Sequence, residues 1–444
     1  MSKTVDSEPA LPRPWVVYLG TTGLFGFAAF SFLGIGGANI GIAFMLIATV
    51  FDWRRFWGAL RGDPALLLML WCFAAVGLSA GMRVWHYPEE ASQQFNGLLK
   101  VLQLFLFLWV AWWLQGRQRL IFWMLALALA SFCLAVLRAL DAETVAELLA
   151  MERPHFLWSI NAIGQYAAAC LLGMVLLTPR FRRWLAGRRR RWLGTTTWLL
   201  LMALVGALVV LSLSRGVWLS LVMVSGGLLL YLGWTYRRDP TVGRRLMLTT
   251  AVVTLLVGVT LSVSDPVRSR VAIIAQPIVE LWTLESNAQQ IAGEESGRIR
   301  ARLLLLGIHS WLESPWLGGG PDAPKRIIHE HREEFKGWEY YSDFHNLAVD
   351  LLASYGVLGS LPLLLTFLLV LSVAYRGHRA GWLDKDLYLA LTGLLLLNAL
   401  AQMTDTRILA SHGRFYSILF AGAAYSWLLT ARSLGGNGKP SASR

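Results

Sequence analysis

The 444-residue sequence predicts an all-α polytopic membrane protein of about twelve transmembrane helices, with one large extracytoplasmic helical loop between helices 9 and 10. Three observations carry this. Hydrophobic residues make up 56% of the chain and charged residues 15%, where a soluble domain shows roughly 25% charged. Apolar runs long enough to cross about 30 Å of hydrocarbon recur nearly end to end. The basic residues gather in short clusters between those runs. Together these exclude a cytosolic enzyme, and they make the formal charge of +13 a topology signal and not a nucleic-acid footprint.

Taken in order, spans are expected near 15–33, 36–51, 64–81, 98–115, 119–138, 157–178, 193–213, 217–235, 246–264, 349–374, 387–403 and 412–431. The first apolar segment is long and is followed at once by another, so it is read as a retained helix and not a cleaved signal. Residues 1–264 then hold helices 1–9, 265–345 the loop, 346–431 helices 10–12 and 432–444 a disordered cytoplasmic tail. An even number of spans puts both termini on one side. The connectors of that side hold 24 Lys and Arg, against four (Arg83, Arg153, Arg215 and Arg407) in the short opposite connectors. Basic connectors mark the cytoplasm, so both termini are expected there.

Tryptophans near span ends, Trp112, Trp113, Trp184, Trp192, Trp218 and Trp234, are expected as anchors among membrane lipids at the interface. Cys72, Cys133 and Cys170 lie inside apolar runs without metal-ligand spacing, so they read as small buried hydrophobes.

The loop 265–345 mixes nine Lys/Arg with twelve Asp/Glu over 81 residues. Long loops cross the membrane largely regardless of charge, so it is placed outside. Within it SGRIRARLLLLGIHSWLES sets Ile299, Leu303, Ile308 and Trp311 among polar residues, the pattern of a helix lying on the membrane face or packed on the bundle. Pro315-Trp-Leu-Gly-Gly-Gly-Pro321 should end that helix. The charged stretch APKRIIHEHREEF follows, and YYSDFHNLAVDLLASYGVLG leads back into the bundle.

Three places in this chain can carry chemistry. Arg215 lies between two apolar runs on the outward side, where basic residues are disfavoured. It either binds phosphate, with Gly216 permitting a tight turn or close ligand approach, or snorkels to headgroups. Arg298, Arg300 and Arg302 form the second place. Arg298 and Arg302 share a helix face while Arg300 points elsewhere, and all three either meet an anionic ligand or pair with Glu294, Glu295 or lipid phosphates. His345, where the loop re-enters the membrane, is flanked by Asp343 and Asn346, with Asp350 five residues on. A neutral imidazole there can accept a hydroxyl proton, and the carboxylates can orient it; capping or a structural hydrogen bond is the plainer reading. Asp405 and Arg407 form another outward pair that either lines the same cavity or is self-paired. His329 and His331 have i,i+2 spacing that diverges on a helix, so no metal site is expected.

These motifs, Ser214-Arg215-Gly216 on an outward turn, SGRIRARLLLLGIHSWLESPWLGGG with Arg298, and DFHNLAVDLLASYGVLG with His345, resemble in order and spacing the bacterial O-antigen ligase family, within the O-antigen ligase and polymerase superfamily. The resemblance implies a glycosyltransferase-C-like membrane fold in the bacterial inner membrane. It further implies transfer of a glycan from undecaprenyl diphosphate to a sugar hydroxyl of lipid A–core on the periplasmic face, with inversion and without metal or other cofactor. Arg215 and Arg298 would hold the diphosphate and His345 would be the general base, with Arg300, Arg302, Asp343, Asn346, Asp350 and Arg407 as candidate substrate-binding neighbours. An O-antigen polymerase or a protein O-oligosaccharyltransferase uses the same donor. A transporter also suits twelve spans, but the polar candidates crowd the outward edge and not the midplane.

Overall fold

A computed structural model describes residues 13–149, 158–187, 191–236, 295–335 and 341–434, and every regular element in them is helical. The helices run α1 (Pro14–Phe30), α2 (Ile35–Phe51), α3 (Trp53–Leu60), α4 (Pro64–His86), α5 (Ala91–Leu104), α6 (Phe107–Leu114), α7 (Gln118–Ala139), α8 (Ala142–Leu149), α9 (Ile160–Leu185), α10 (Arg191–Leu211) and α11 (Arg215–Thr235). After residues outside the description come α12 (Glu295–Glu313), α13 (Ala323–Glu330), α14 (Leu347–Arg379), α15 (Lys385–Ala401) and α16 (Ser411–Ser433).

Each expected span falls on one of these helices, except that near 246–264, which lies outside the described residues; the fourth is broken between α5 and α6. Seven helical stretches of the described residues are long and apolar enough to cross a membrane, or eight if α2 and α3, bent by 92°, form one span. The measure falls short of twelve for physical reasons. α1 and α15 stop at 17 residues, and α16, though 23 residues long, carries His412, Arg414 and several serines.

The chain divides into two compact units. The first comprises Met1–Arg138, Val357–Leu395 and Arg407–Arg444. Here α1 packs on α2 at very short range. A Cβ on Gly41 would lie 2.4 Å from the Phe27 backbone nitrogen, so the absence of a side chain permits the contact that helices in lipid rely on. Trp112 and Trp113, expected as interfacial anchors, are instead core residues, Trp113 only 1% exposed. Buried indole N–H groups need acceptors, and these find them: Trp113 Nε1 donates to Met45 O and Thr49 Oγ1, and Trp112 Nε1 to Asp52 Oδ2. Trp192 and Trp234 do stand exposed, as anchors should. Asp63 caps α4 by accepting from Ala65 N, accepts from the Tyr425 hydroxyl, and pairs with Arg432 at 3.0 Å, tying α4 to α16.

The second unit comprises Ala139–Gly356 and Leu396–Thr406. α9 packs against α10 and α11. The loop helix α12 buries Ile299 and Leu303 in a core with Ala323, Ile327 and Ile328 of α13 and Phe344, Val349 and Ala353, so that face is packed on protein. As expected, the helix ends at Glu313, just before the Pro315–Pro321 stretch. That stretch rests on the first turns of α14, where Gly319 N and Gly320 N donate to Ala353 O and Ser354 O at 2.8 and 2.9 Å. α14 kinks at Gly356 (φ 59°, ψ −166°), which is also where the second unit ends.

Candidate functional site

The turn that presents Arg215 is built by its neighbours. α10 ends at Leu211; Ser212 Oγ donates to Val209 O and accepts from Ser214 N, and Trp218 Nε1 straps back to Val209 O at 2.8 Å. Between them Leu213 is forced to φ 46°, a left-handed conformation unfavourable for a branched side chain. α11 then begins with Arg215 itself. Gly216 is required for close approach, though not of a ligand: a Cβ there would lie 2.2 Å from Thr404 Oγ1.

That approach borders a narrow cleft lined by Asn161, Gln165, Ser214, Arg215, Gly216, Val217, Arg300, Ala401, Thr404 and Asp405. Two helix N-termini border it, since Asn161 is in the first turn of α9 and Arg215 to Val217 form the first turn of α11. The positive ends of the two helix dipoles and the two guanidinium groups make an environment for anions. Among the described residues Arg300 Nε is buried with no hydrogen-bond acceptor.

Asp405 connects this cleft to His345. The imidazole Nδ1 lies 3.1 Å from Asp343 Oδ1 and 3.4 Å from Asp405 Oδ1. These are charge-pairing distances without the alignment of hydrogen bonds, and Nε2 too makes no hydrogen bond among the described residues. Tyr341 sets its ring edge-on to the imidazole, centroids 4.6 Å apart. His345 is itself left-handed at φ 56°, held there by its N–H donating to Asp343 Oδ1 at 2.9 Å. Burial pushes the imidazole pKa down, but the two carboxylates outweigh it and hold the ring up at about 9 instead of 6.5. Asp343, His345 and Asp405 place their ligand atoms within 4.8 Å of one another, close enough for one cation. The sequence shows no such cluster, because Asp405 is sixty residues from His345.

The remaining candidates are distributed differently. Asp350 is buried, accepting from Phe344 N at 2.8 Å and from the Thr406 hydroxyl, so it clamps the His345 segment through its backbone. Asn346 caps α14 through Val349 N and donates to Met403 O at 3.2 Å. With Leu347 N donating to Gln402 O, these bonds bind segment 343–350 to 402–406. Arg302 is exposed and does not line the cleft, whereas Arg300 does. Arg298 is in the first turn of α12, its side chain outside the described residues. Arg407 belongs to the other unit, its carbonyl accepting from Ala410 N. His331 Nδ1 is 2.9 Å from Ile327 O, engaged by its own helix.

Sequence reasoning missed Asn161, Gln165, Thr404 and Tyr341. A signal existed for the first two: amides at i and i+4 in an otherwise apolar helix share one face. No curated protein matches the chain. Residues 199–364, which contain Arg215, the arginines of α12 and His345, match the family model described as O-antigen ligase, the family its motifs resemble.

Proposed function

We propose that the protein is an O-antigen ligase of the bacterial inner membrane, with both termini cytoplasmic and its cleft open to the periplasmic leaflet. It transfers glycan from an undecaprenyl diphosphate-linked donor to a sugar hydroxyl of lipid A–core. The observation that carries this reading is one cleft holding Arg215 and Arg300 and sharing Asp405 with His345.

The reaction needs charge stabilisation at the leaving group and a proton acceptor at the nucleophile. Arg215 and Arg300, with Arg298 carried over from the family resemblance, offset the diphosphate charge as the anomeric C–O bond breaks. Nδ1 faces two carboxylates, so Nε2 takes the acceptor proton while the hydroxyl oxygen bonds to the anomeric carbon. Asp343 and Asp405 stabilise the imidazolium that results. Direct displacement inverts the anomeric centre, and undecaprenyl diphosphate leaves intact. The donor is already activated and the arginines supply the countercharge, so no metal takes part.

The test is reconstitution with purified donor and lipid A–core. Wild type should form the conjugate, and Arg215→Ala and His345→Ala should each lower the rate by about 10²-fold or more while still reaching the membrane. Donor glycan that lengthens without a conjugate would make the protein a polymerase instead. Near-normal rates in both variants would remove the site. Chelation should leave the rate unchanged; a loss restored by a divalent ion would assign Asp343, His345 and Asp405 to a cation.

A further inference from the structure

Asn161 stands out in the cleft because its Oδ1 is buried and has no hydrogen-bond donor among the described residues. Buried polar atoms in folded proteins are paired almost without exception, so such an acceptor beside a binding cleft is placed for something the cleft receives. The helix cap does not use it: Ser159 Oγ, not Asn161, accepts from Ala162 N. One turn on, Gln165 lines the same cleft. Gln165 Nε2 donates to Asn398 Oδ1 at 3.3 Å, and Asn398 Oδ1 also accepts from Gln402 Nε2 at 3.0 Å. The α9 face is thus anchored to α15 and to the 402–406 segment that carries Asp405. The helix cannot slide outward to hydrate Asn161 without breaking that chain of amides.

We infer that Asn161 is a donor-specificity residue, whose carboxamide oxygen accepts a hydrogen bond from a hydroxyl or amide N–H of the sugar attached directly to the diphosphate. This rests on the reading of the cleft as the diphosphate site. Arg215, Arg300 and Asn161 line the same cleft, so a diphosphate held by the two arginines brings the sugar bonded to it alongside Asn161. The charged groups hold any lipid diphosphate, whereas a neutral amide oxygen distinguishes one sugar from another, because a sugar lacking the matching donor leaves the acceptor buried and unpaired.

The experiment uses the full-length protein in liposomes and three probes: the glycan-bearing donor, a donor whose first sugar is deoxygenated or stripped of its amide at single positions, and sugar-free undecaprenyl diphosphate. Asn161→Leu should raise KM for the glycan-bearing donor about tenfold, the scale of one neutral hydrogen bond, with kcat changed far less. It should bind sugar-free undecaprenyl diphosphate as wild type does. One position of the modified donors should abolish the difference between variant and wild type. Leucine removes an unpaired buried amide, so the thermal midpoint should hold or rise, which separates the effect from misfolding. Equal weakening toward sugar-bearing and sugar-free lipids, or no change in KM, would overturn the inference. Failure of the parent reading is a different result: Arg215→Ala and Arg300→Ala binding sugar-free undecaprenyl diphosphate with wild-type affinity.

Discussion

His345 joins a left-handed backbone to an imidazole set between two carboxylates, and both features bear on how it can take a proton. Strained φ angles persist where surroundings over-determine them, and here the Asp343 turn and the Asp350 clamp on Phe344 N do so. With its pKa raised to about 9, the ring is protonated at neutral pH and only a minor fraction is in the base form. The transfer rate should therefore climb with pH and level off above about 9, measured where chemistry limits turnover. Asp405→Asn removes one of the two charges that raise the pKa, so the rising limb should move toward lower pH; a limb unmoved in that variant would show that Asp405 does not govern the ring. Linkage runs the opposite way. A raised pKa in the fold contributes stability that is complete below about 6.5 and is lost as pH rises through about 9, so the site should loosen as it becomes active. The histidine and its neighbour Asp343 were visible in the sequence as a motif. The partnership with Asp405 was not, because it depends on a segment sixty residues away being brought over Gly216.

The helices were readable because apolar length and turn residues are local properties: α12 and its stop at Pro315 follow from periodicity and from proline and glycine chemistry. The faces those helices bury were less readable. Trp112 and Trp113 resemble interfacial anchors by position, and only the tertiary acceptors Asp52, Met45 and Thr49 make them core residues. Likewise the spacing of Arg298, Arg300 and Arg302 shows which share a face, and only the packing of Ile299 and Leu303 decides which face meets the cleft. Gly356 shows how an element is shaped by a distant contact. Its φ of 59° disfavours any side chain, and a Cβ there would lie 2.2 Å from the Trp316 carbonyl carbon, a backbone atom that cannot rotate away. Gly356→Ala should cost about 1–2 kcal/mol from the dihedral alone and more from the clash, lowering the thermal midpoint in detergent. It should also lower transfer, since the Gly319 and Gly320 bonds to α14 seat the loop that continues into α13. Gly206→Ala on α10, which meets only Leu171 at 4.0 Å, is the control and should change neither; equal behaviour of the two variants would remove this account of the kink.

Across the whole chain the few charges do two jobs, and the division between them is testable. On the proposed topology the 24 basic residues of one set of connectors hold those connectors in the cytoplasm, while Arg215 and the arginines of α12 lie against that trend, in or beside a cleft where an anion can offset them. If this is right, residues on opposite sets of connectors must be accessible from opposite sides of the membrane. Arg61 lies in a basic connector, whereas Glu89 and His309 lie in the outward set, and all three are exposed. Single-cysteine variants Arg61→Cys, Glu89→Cys and His309→Cys, in a background with Cys72, Cys133 and Cys170 replaced, can be probed with a membrane-impermeant maleimide on spheroplasts. Glu89→Cys and His309→Cys should label from outside, and Arg61→Cys only after permeabilisation. Labelling of Arg61→Cys from outside would invert the topology and put the cleft on the cytoplasmic face, where a periplasmic ligase could not work. Labelling of Glu89→Cys and His309→Cys from opposite sides would mean an odd number of crossings between them. That would rule out the six spans expected there, including the one near 246–264, and with them the twelve-span chain.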